Sequence, residues 1–134
     1  KAVTLTAEIE QGILVKADQT LLMRIWLNLL TNAVKYGRQQ GQIWLTLKSD
    51  GKNAVGTVRD DGIGISAAEL PKIWKRFYRV NTARSSGDDS GTGLGLAMVK
   101  WMVESHGGTV NAVSTLGAGS TFSFTIPLRP SENK

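Results

Sequence analysis

With 134 residues, 41% of them hydrophobic, the chain holds enough apolar material for one compact domain, read as 1–134, and little for a second. The absence of cysteine excludes a disulfide framework and a thiolate metal site, and the longest apolar stretch, Leu21 to Leu30, is interrupted by Arg24 and Asn28 and too short to cross a bilayer. A net charge of +5 suits either nucleic acid or a small polyanion such as a nucleoside triphosphate, but the basic residues are scattered without a dense run, which argues against nucleic acid.

The opening decapeptide KAVTLTAEIE shows no apolar core ahead of a small-residue cleavage site, so no secretory signal is expected in it, and a cytosolic setting is compatible. Residues 3–9 alternate apolar and polar, as a half-buried strand does, and ILVK at 13–16 reads as a second strand after a turn at Gln11-Gly12. The pair is expected to form a hairpin. Asp18 is placed to cap a helix running to about Tyr36, because Leu22, Ile25, Trp26, Leu29, Leu30 and Ala33 recur at helical spacing, and Gly37 ends it.

Ile43 to Lys48 and Ala54 to Arg59 are strand-like and joined across Asp50-Gly51. Ser66 with Glu69 forms a capping box for a short helix through about Trp74. From Asn81 to Gly93 the chain has almost no apolar residue, which predicts a mobile loop. Leu94 to His106 has the pattern of a second long helix stopped by Gly107-Gly108, and strands follow near 109–114 and 120–127. This order predicts an α/β two-layer sandwich, a mixed sheet covered by helices on one face, with Leu22, Ile25, Leu29, Val58, Leu96, Val99 and Phe124 in its core.

Three groups of residues can carry chemistry. Asn28, Asn32 and Lys35 share a stripe on the first helix, where amide oxygens suit magnesium and a lysine suits phosphate; a solvated helix face is the bland alternative. Asp60-Asp61-Gly62-Ile63-Gly64 ends a strand, with a carboxylate able to accept from an exocyclic amine and glycines that permit close approach of a ligand; a simple turn fits equally well. Gly91-Thr92-Gly93-Leu94-Gly95-Leu96 opens directly into a helix, where unpaired N–H groups attract phosphate, yet neither the dinucleotide fingerprint nor the P-loop pattern is present.

Taken in order, these groups resemble the boxes of the histidine kinase catalytic domain, a branch of the family that includes gyrase, mismatch-repair and heat-shock chaperone ATPases. Asn28-Leu29-Leu30-Thr31-Asn32, continuing Ala33-Val34-Lys35-Tyr36, resembles the N box, and Ile73-Trp74-Lys75-Arg76-Phe77-Tyr78-Arg79 looks like the Phe box, with Trp74 where phenylalanine is commoner. The segment Gly117-Ala118-Gly119-Ser120-Thr121-Phe122 resembles the closing element, and the likeness spans roughly 13–128. The family's phosphoacceptor box, a histidine followed by an acidic residue on a dimerising helix, is missing from the sequence.

The resemblance implies a Bergerat-type ATP-binding fold whose cofactors are ATP and Mg2+. Asp60 would bind the adenine amine, with Thr121 helping through a water; Asn28 and Asn32 would hold magnesium; Lys35 and Arg79 would contact phosphates; and Tyr36 would pack near the base. Gly62, Gly64 and Ile65, Phe77 and Tyr78, and Gly91, Thr92, Gly93, Leu94, Gly95 and Leu96 would complete the nucleotide site. Residues 81–92 would form a flexible ATP lid hinged near Gly87 and Gly91. The implied partners are a histidine-bearing dimerisation domain and, for the parent protein, a response regulator; nucleic acid binding and direct membrane insertion are not expected. The implied location is cytoplasmic, with the parent anchored in a membrane.

His106, the single histidine, lies thirteen residues beyond Gly93 along a helix, roughly 20 Å from the phosphate end at about 1.5 Å per residue, too far to accept a phosphoryl group. Two rival functions remain open. A hydrolytic ATPase of the gyrase or chaperone type would carry glutamate at the position of Asn28, whereas an amide cannot take a proton from water. A nucleotide-binding docking module that has lost transfer would keep the same binding residues.

Overall fold

Helix α1, Gln19–Tyr36, forms where the apolar spacing predicts, and Asp18 caps it: in extended conformation, its Oδ1 accepts from the Leu21 N–H at 3.0 Å. The computed structural model describes residues 3–37, 40–75 and 95–128. Along the chain β1, Thr4–Ile9, precedes α1, and β2, Gln42–Ser49, and β3, Asn53–Asp60, follow it. A 3-10 turn, Leu70–Lys72, comes next, then α2, Gly95–Ser105, β4, Thr109–Thr115, and β5, Gly119–Pro127.

The strands form one five-stranded sheet in the order β1-β2-β3-β5-β4, with β1 parallel to β2 and every other pairing antiparallel. It is the expected mixed sheet of an α/β fold. Ile25, Leu29 and Ala33 of α1 and Val99, Met102 and Val103 of α2 close over Ile43, Val58, Phe122, Phe124 and Ile126, all from one side of the sheet. The Trp26 ring meets Phe124 edge-on at 5.0 Å, and Trp74 meets Phe122 at 5.9 Å. Leu22 and Leu96, expected in the core, pack at its margin and stay partly exposed. The opposite face is polar, with the Arg59 guanidinium stacked on Trp44 at 4.5 Å.

Two expectations are corrected. Residues 3–9 and 13–16 do not pair as a hairpin, although Gly12 turns there at φ +83°. Instead β1 runs parallel to β2 from Thr4↔Gln42 to Ile9↔Leu47, and the 13–16 segment contributes one antiparallel bridge, Val15↔Leu128. A four-residue partner offers β1 less than β2 does, because β2 extends the ladder along the whole strand. Around Ser66 the cap forms, the Glu69 N–H reaching Ser66 Oγ at 3.3 Å, but no α-helix follows. Pro71 supplies no N–H and disfavours the α conformation at Leu70, so the chain makes only the 3-10 turn.

His106 joins the far ends of the two helices. Its Nε2 accepts from the Asp18 N–H at 3.0 Å, and its Nδ1 donates to the Met102 carbonyl at 2.7 Å. The backbone partners define the tautomer, since an N–H can only donate and a carbonyl only accept. His106→Leu is expected to lower stability by about 1 kcal/mol in thermal or denaturant melts, while His106→Gln, which keeps an acceptor within reach of Asp18, loses less.

Candidate nucleotide site

Asp60 is the last residue of β3 and only 4% exposed. Burial of its carboxyl raises its pKa above the ordinary value, and the neighbouring Asp61 charge adds to this, while hydrogen bonds from the main chain of Gly62 and Ser120 oppose it. Its Oδ1 accepts from the Gly62 N–H at 2.8 Å. A buried carboxylate that is costly to ionise, with no ion pair to it among the described residues, is a functional candidate rather than a stabilising feature.

The turn after Asp60 is tied down on both sides. The Ile63 N–H donates to the Tyr36 carbonyl at the end of α1, and the Gly117 N–H donates to the Ile63 carbonyl from the β4–β5 turn. The Ile65 N–H donates to Ser114 Oγ at 2.7 Å. Contact with α1 is so close that a Cβ on Gly62 would lie 2.1 Å from the Tyr36 oxygen, and Gly119, at φ +114°, faces the Asp60 carbonyl equally closely. These glycines let α1, the turn and the β4–β5 connection converge on one carboxylate. Asp61 turns away from Asp60, its Oδ1 capping the Gln42 N–H at 3.0 Å.

Asn28, Asn32 and Lys35 lie along α1 leading to this turn, all half-buried and none in the core. Asn28 also lines a surface groove with Met23, Arg24 and Leu27. From Asn28 to Tyr36 the helix rises about 12 Å at about 1.5 Å per residue. The Lys35 ammonium stands 5.4 Å from the Tyr36 ring. Among the described residues no group of three or more His, Cys, Asp or Glu could hold a metal. Two amide oxygens one turn apart suit a magnesium ion that keeps waters and arrives with a triphosphate, so the residues present fit it.

Ile65 is buried in the core beneath the turn, and Leu96 lies at the core margin near the start of α2. Gly95 is the first residue of α2. Phe77, Tyr78, Arg79, Gly91, Thr92, Gly93, Leu94 and the segment 81–92 lie outside the described residues. Thr121 is not beside Asp60: the β3–β5 register sets it opposite Arg59, on the polar face. Ser120 is the residue paired with Asp60, and it is 7% exposed. The strand's own alternation carries this signal, because Phe122 and Phe124 face the helices and residue 120 must share their side. Ser114, paired with Ser120 across β4 and β5, is a second residue that motif reading passes over.

Residues 17–130 match the family described as histidine kinase-, DNA gyrase B-, and HSP90-like ATPase. The circadian input-output histidine kinase CikA of Synechococcus elongatus is 43% identical over 114 residues, 84% of this chain and 15% of that protein. Sensor histidine kinase WalK of Bacillus subtilis is 36% identical over 90% of this chain and 20% of its own length. The chain thus spans a minor part of these relatives. Among solved structures, the mycobacterial sensor histidine kinase MprB superposes with a TM-score of 0.84 at 30% identity, covering 96% of this chain and 86% of that one. Full-length ShkA in complex with AMPPNP superposes at 0.80 and 30% identity, over 96% of this chain and 26% of that one. No helix among the described residues is long and apolar enough to cross a membrane.

Proposed function

Since the chain belongs to the histidine kinase-, DNA gyrase B-, and HSP90-like ATPase family, we propose that it binds magnesium-ATP and transfers the γ-phosphoryl group to a histidine on a separate dimerisation hairpin of a sensor histidine kinase. The observation that carries this reading is the buried Asp60 carboxylate, held on a glycine turn against the end of the helix that bears Asn28, Asn32 and Lys35. Asp60 accepts from the adenine amine. Ser120, rather than Thr121, stands beside it on the same face of the sheet. Tyr36 borders the base, and the stripe from Lys35 to Asn28 runs along the phosphates.

In this reading Asn28 and Asn32 hold magnesium, which offsets phosphate charge when bound. By its resemblance to the family, Arg79 also contacts phosphates, Phe77, Tyr78 and the glycines at 91, 93 and 95 belong to the nucleotide site, and residues 81–92 serve as the lid. The bond from the γ-phosphorus to the ADP oxygen breaks, a bond to the acceptor imidazole nitrogen forms, and ADP departs. Catalysis of this step is mostly positioning and charge stabilisation. An amide at position 28 provides no general base, so water is a poor competitor. The AMPPNP bound to ShkA, an ATP analogue, supports a nucleotide as the ligand. The parent protein would be a membrane-anchored kinase serving a response regulator, with this chain on its cytoplasmic side.

Mixing the chain with a histidine-bearing hairpin and magnesium-ATP is expected to put acid-labile phosphate on the hairpin and none on His106, whose two ring nitrogens are already engaged. Alone, the chain should turn ATP over far more slowly than about 1 per second. Hydrolysis at that rate without a hairpin would replace the kinase reading with a hydrolytic ATPase, and tight ATP binding with no transfer would leave a docking module.

A further inference from the structure

Ser114 is a hydrogen-bond hub whose proton can be assigned. Its Oγ receives the Ile65 N–H at 2.7 Å, lies 2.9 Å from the Gly119 carbonyl and 2.8 Å from Ser120 Oγ. The first partner can only donate and the second can only accept, so the single Ser114 hydrogen goes to Gly119 and one lone pair is left over. Ser120 can bond Ser114 only by donating into that lone pair. Its hydrogen is thereby directed at Ser114, and its own lone pairs are what it offers elsewhere. Ser120 pairs with Asp60 on the same face of the sheet, and both are buried, at 7% and 4% exposure.

We propose that Ser114 is a specificity-determining positioning residue: by holding the Ser120 hydrogen it makes the floor of the base pocket accept only, so the pocket selects a purine with a 6-amino donor over one with a 6-oxo acceptor. The inference rests on the reading of the Asp60 turn as the base site. Asp60 alone would not complete the selection, because a freely rotating Ser120 hydroxyl beside it could turn its hydrogen toward a carbonyl. The Ser114 bond removes that option. It also ties the selection to the shape of the turn, since the same oxygen anchors Ile65.

The test compares ATP with inosine triphosphate, which exchanges the 6-amino group for a carbonyl without adding the 2-amino group of guanine. Titrations of the chain are expected to show that Ser114→Ala narrows the ATP over ITP preference about tenfold, mainly through tighter ITP binding, the size of one hydrogen bond gained. Ser114→Thr, which keeps the hydroxyl, should retain the original preference. Adding Ser114→Ala to Ser120→Ala should change the ratio no further, since the hydrogen being steered is gone. Equal weakening of both nucleotides by Ser114→Ala, with the ratio intact, would make Ser114 merely structural and overturn the proposal. If Ser114→Ala does not fold, Ser114→Cys, close in shape but a poor hydrogen-bonding group, carries the same expectation and the same overturning outcome. Equal affinity of the unaltered chain for ATP and ITP is a different result: it removes the base-site reading itself.

Discussion

Gly62→Ala is expected to cost about 3 kcal/mol of stability or more and to abolish nucleotide binding, an overpacking penalty at the upper end because the two nearest atoms belong to the main chain. The added methyl would lie 2.1 Å from the Tyr36 carbonyl oxygen, 2.7 Å from the Gly37 Cα and 2.9 Å from Asp60 Oδ1. Two of these are backbone atoms, so relief requires lifting the turn off the end of α1. That movement breaks the Ile63 to Tyr36 hydrogen bond and displaces the Asp60 carboxylate from the stripe of Asn28, Asn32 and Lys35. Gly51→Ala is the control: it has φ +96° but open space around the new methyl, so it should cost only backbone strain, about 1–2 kcal/mol, and leave binding intact. Thermal melts and ATP titrations of the two variants decide the matter, and a Gly62→Ala chain that melts and binds like the original would show that the turn is not packed as described.

Asp60→Ala is expected to weaken ATP binding ten- to hundredfold and to erase most of the preference for ATP over GTP. A hydrogen bond to a charged group contributes about 1.5–3 kcal/mol, which converts to that range. Guanine presents a carbonyl where adenine presents an amine, and a carboxylate facing a carbonyl has no proton to share. Asp60→Asn keeps an acceptor oxygen and should lose less. The same residue sets a pH dependence whose direction follows from its raised pKa. As pH falls through that raised value Asp60 takes up a proton and ceases to be a full acceptor, so ATP affinity should decline on the acid side.

For stability without nucleotide the sign is opposite. A carboxyl raised in the folded state contributes most below its unfolded pKa, and that contribution is lost as pH rises through the folded value, because the ionised form is penalised by burial. Asp60→Asn removes the penalty. At neutral pH it should melt higher than the original while binding ATP more weakly, the usual exchange of stability for function at a site. A variant that loses stability and affinity together would mean that the Asp60 charge is compensated by a partner in the folded chain.

Much of this molecule is readable along the chain because the deciding forces are local. The Asp18 cap, the span of α1, the Asp50-Gly51 turn and the two C-terminal strands all follow from spacing and turn chemistry, and their positions agree with the structure to within a residue or two. The ordered motifs at Asn28–Lys35, Asp60–Gly64 and Gly91–Leu96 are likewise properties of the sequence, and they point to the family that residues 17–130 match. Strand partners are different, because pairing is a competition between edges distant in sequence. A turn at Gln11-Gly12 looks sufficient for a hairpin, yet β2 offers β1 the longer ladder. The exchange of Thr121 for Ser120 has the same origin: which of two adjacent hydroxyls faces Asp60 depends on the face that Phe122 and Phe124 bury against the helices. His106 and Ser114 belong wholly to tertiary structure. Nothing near either residue in sequence says that one clasps the start of α1 or that the other orients a hydroxyl beside Asp60, since each role is a hydrogen bond to an atom that only the folded chain brings within 3 Å.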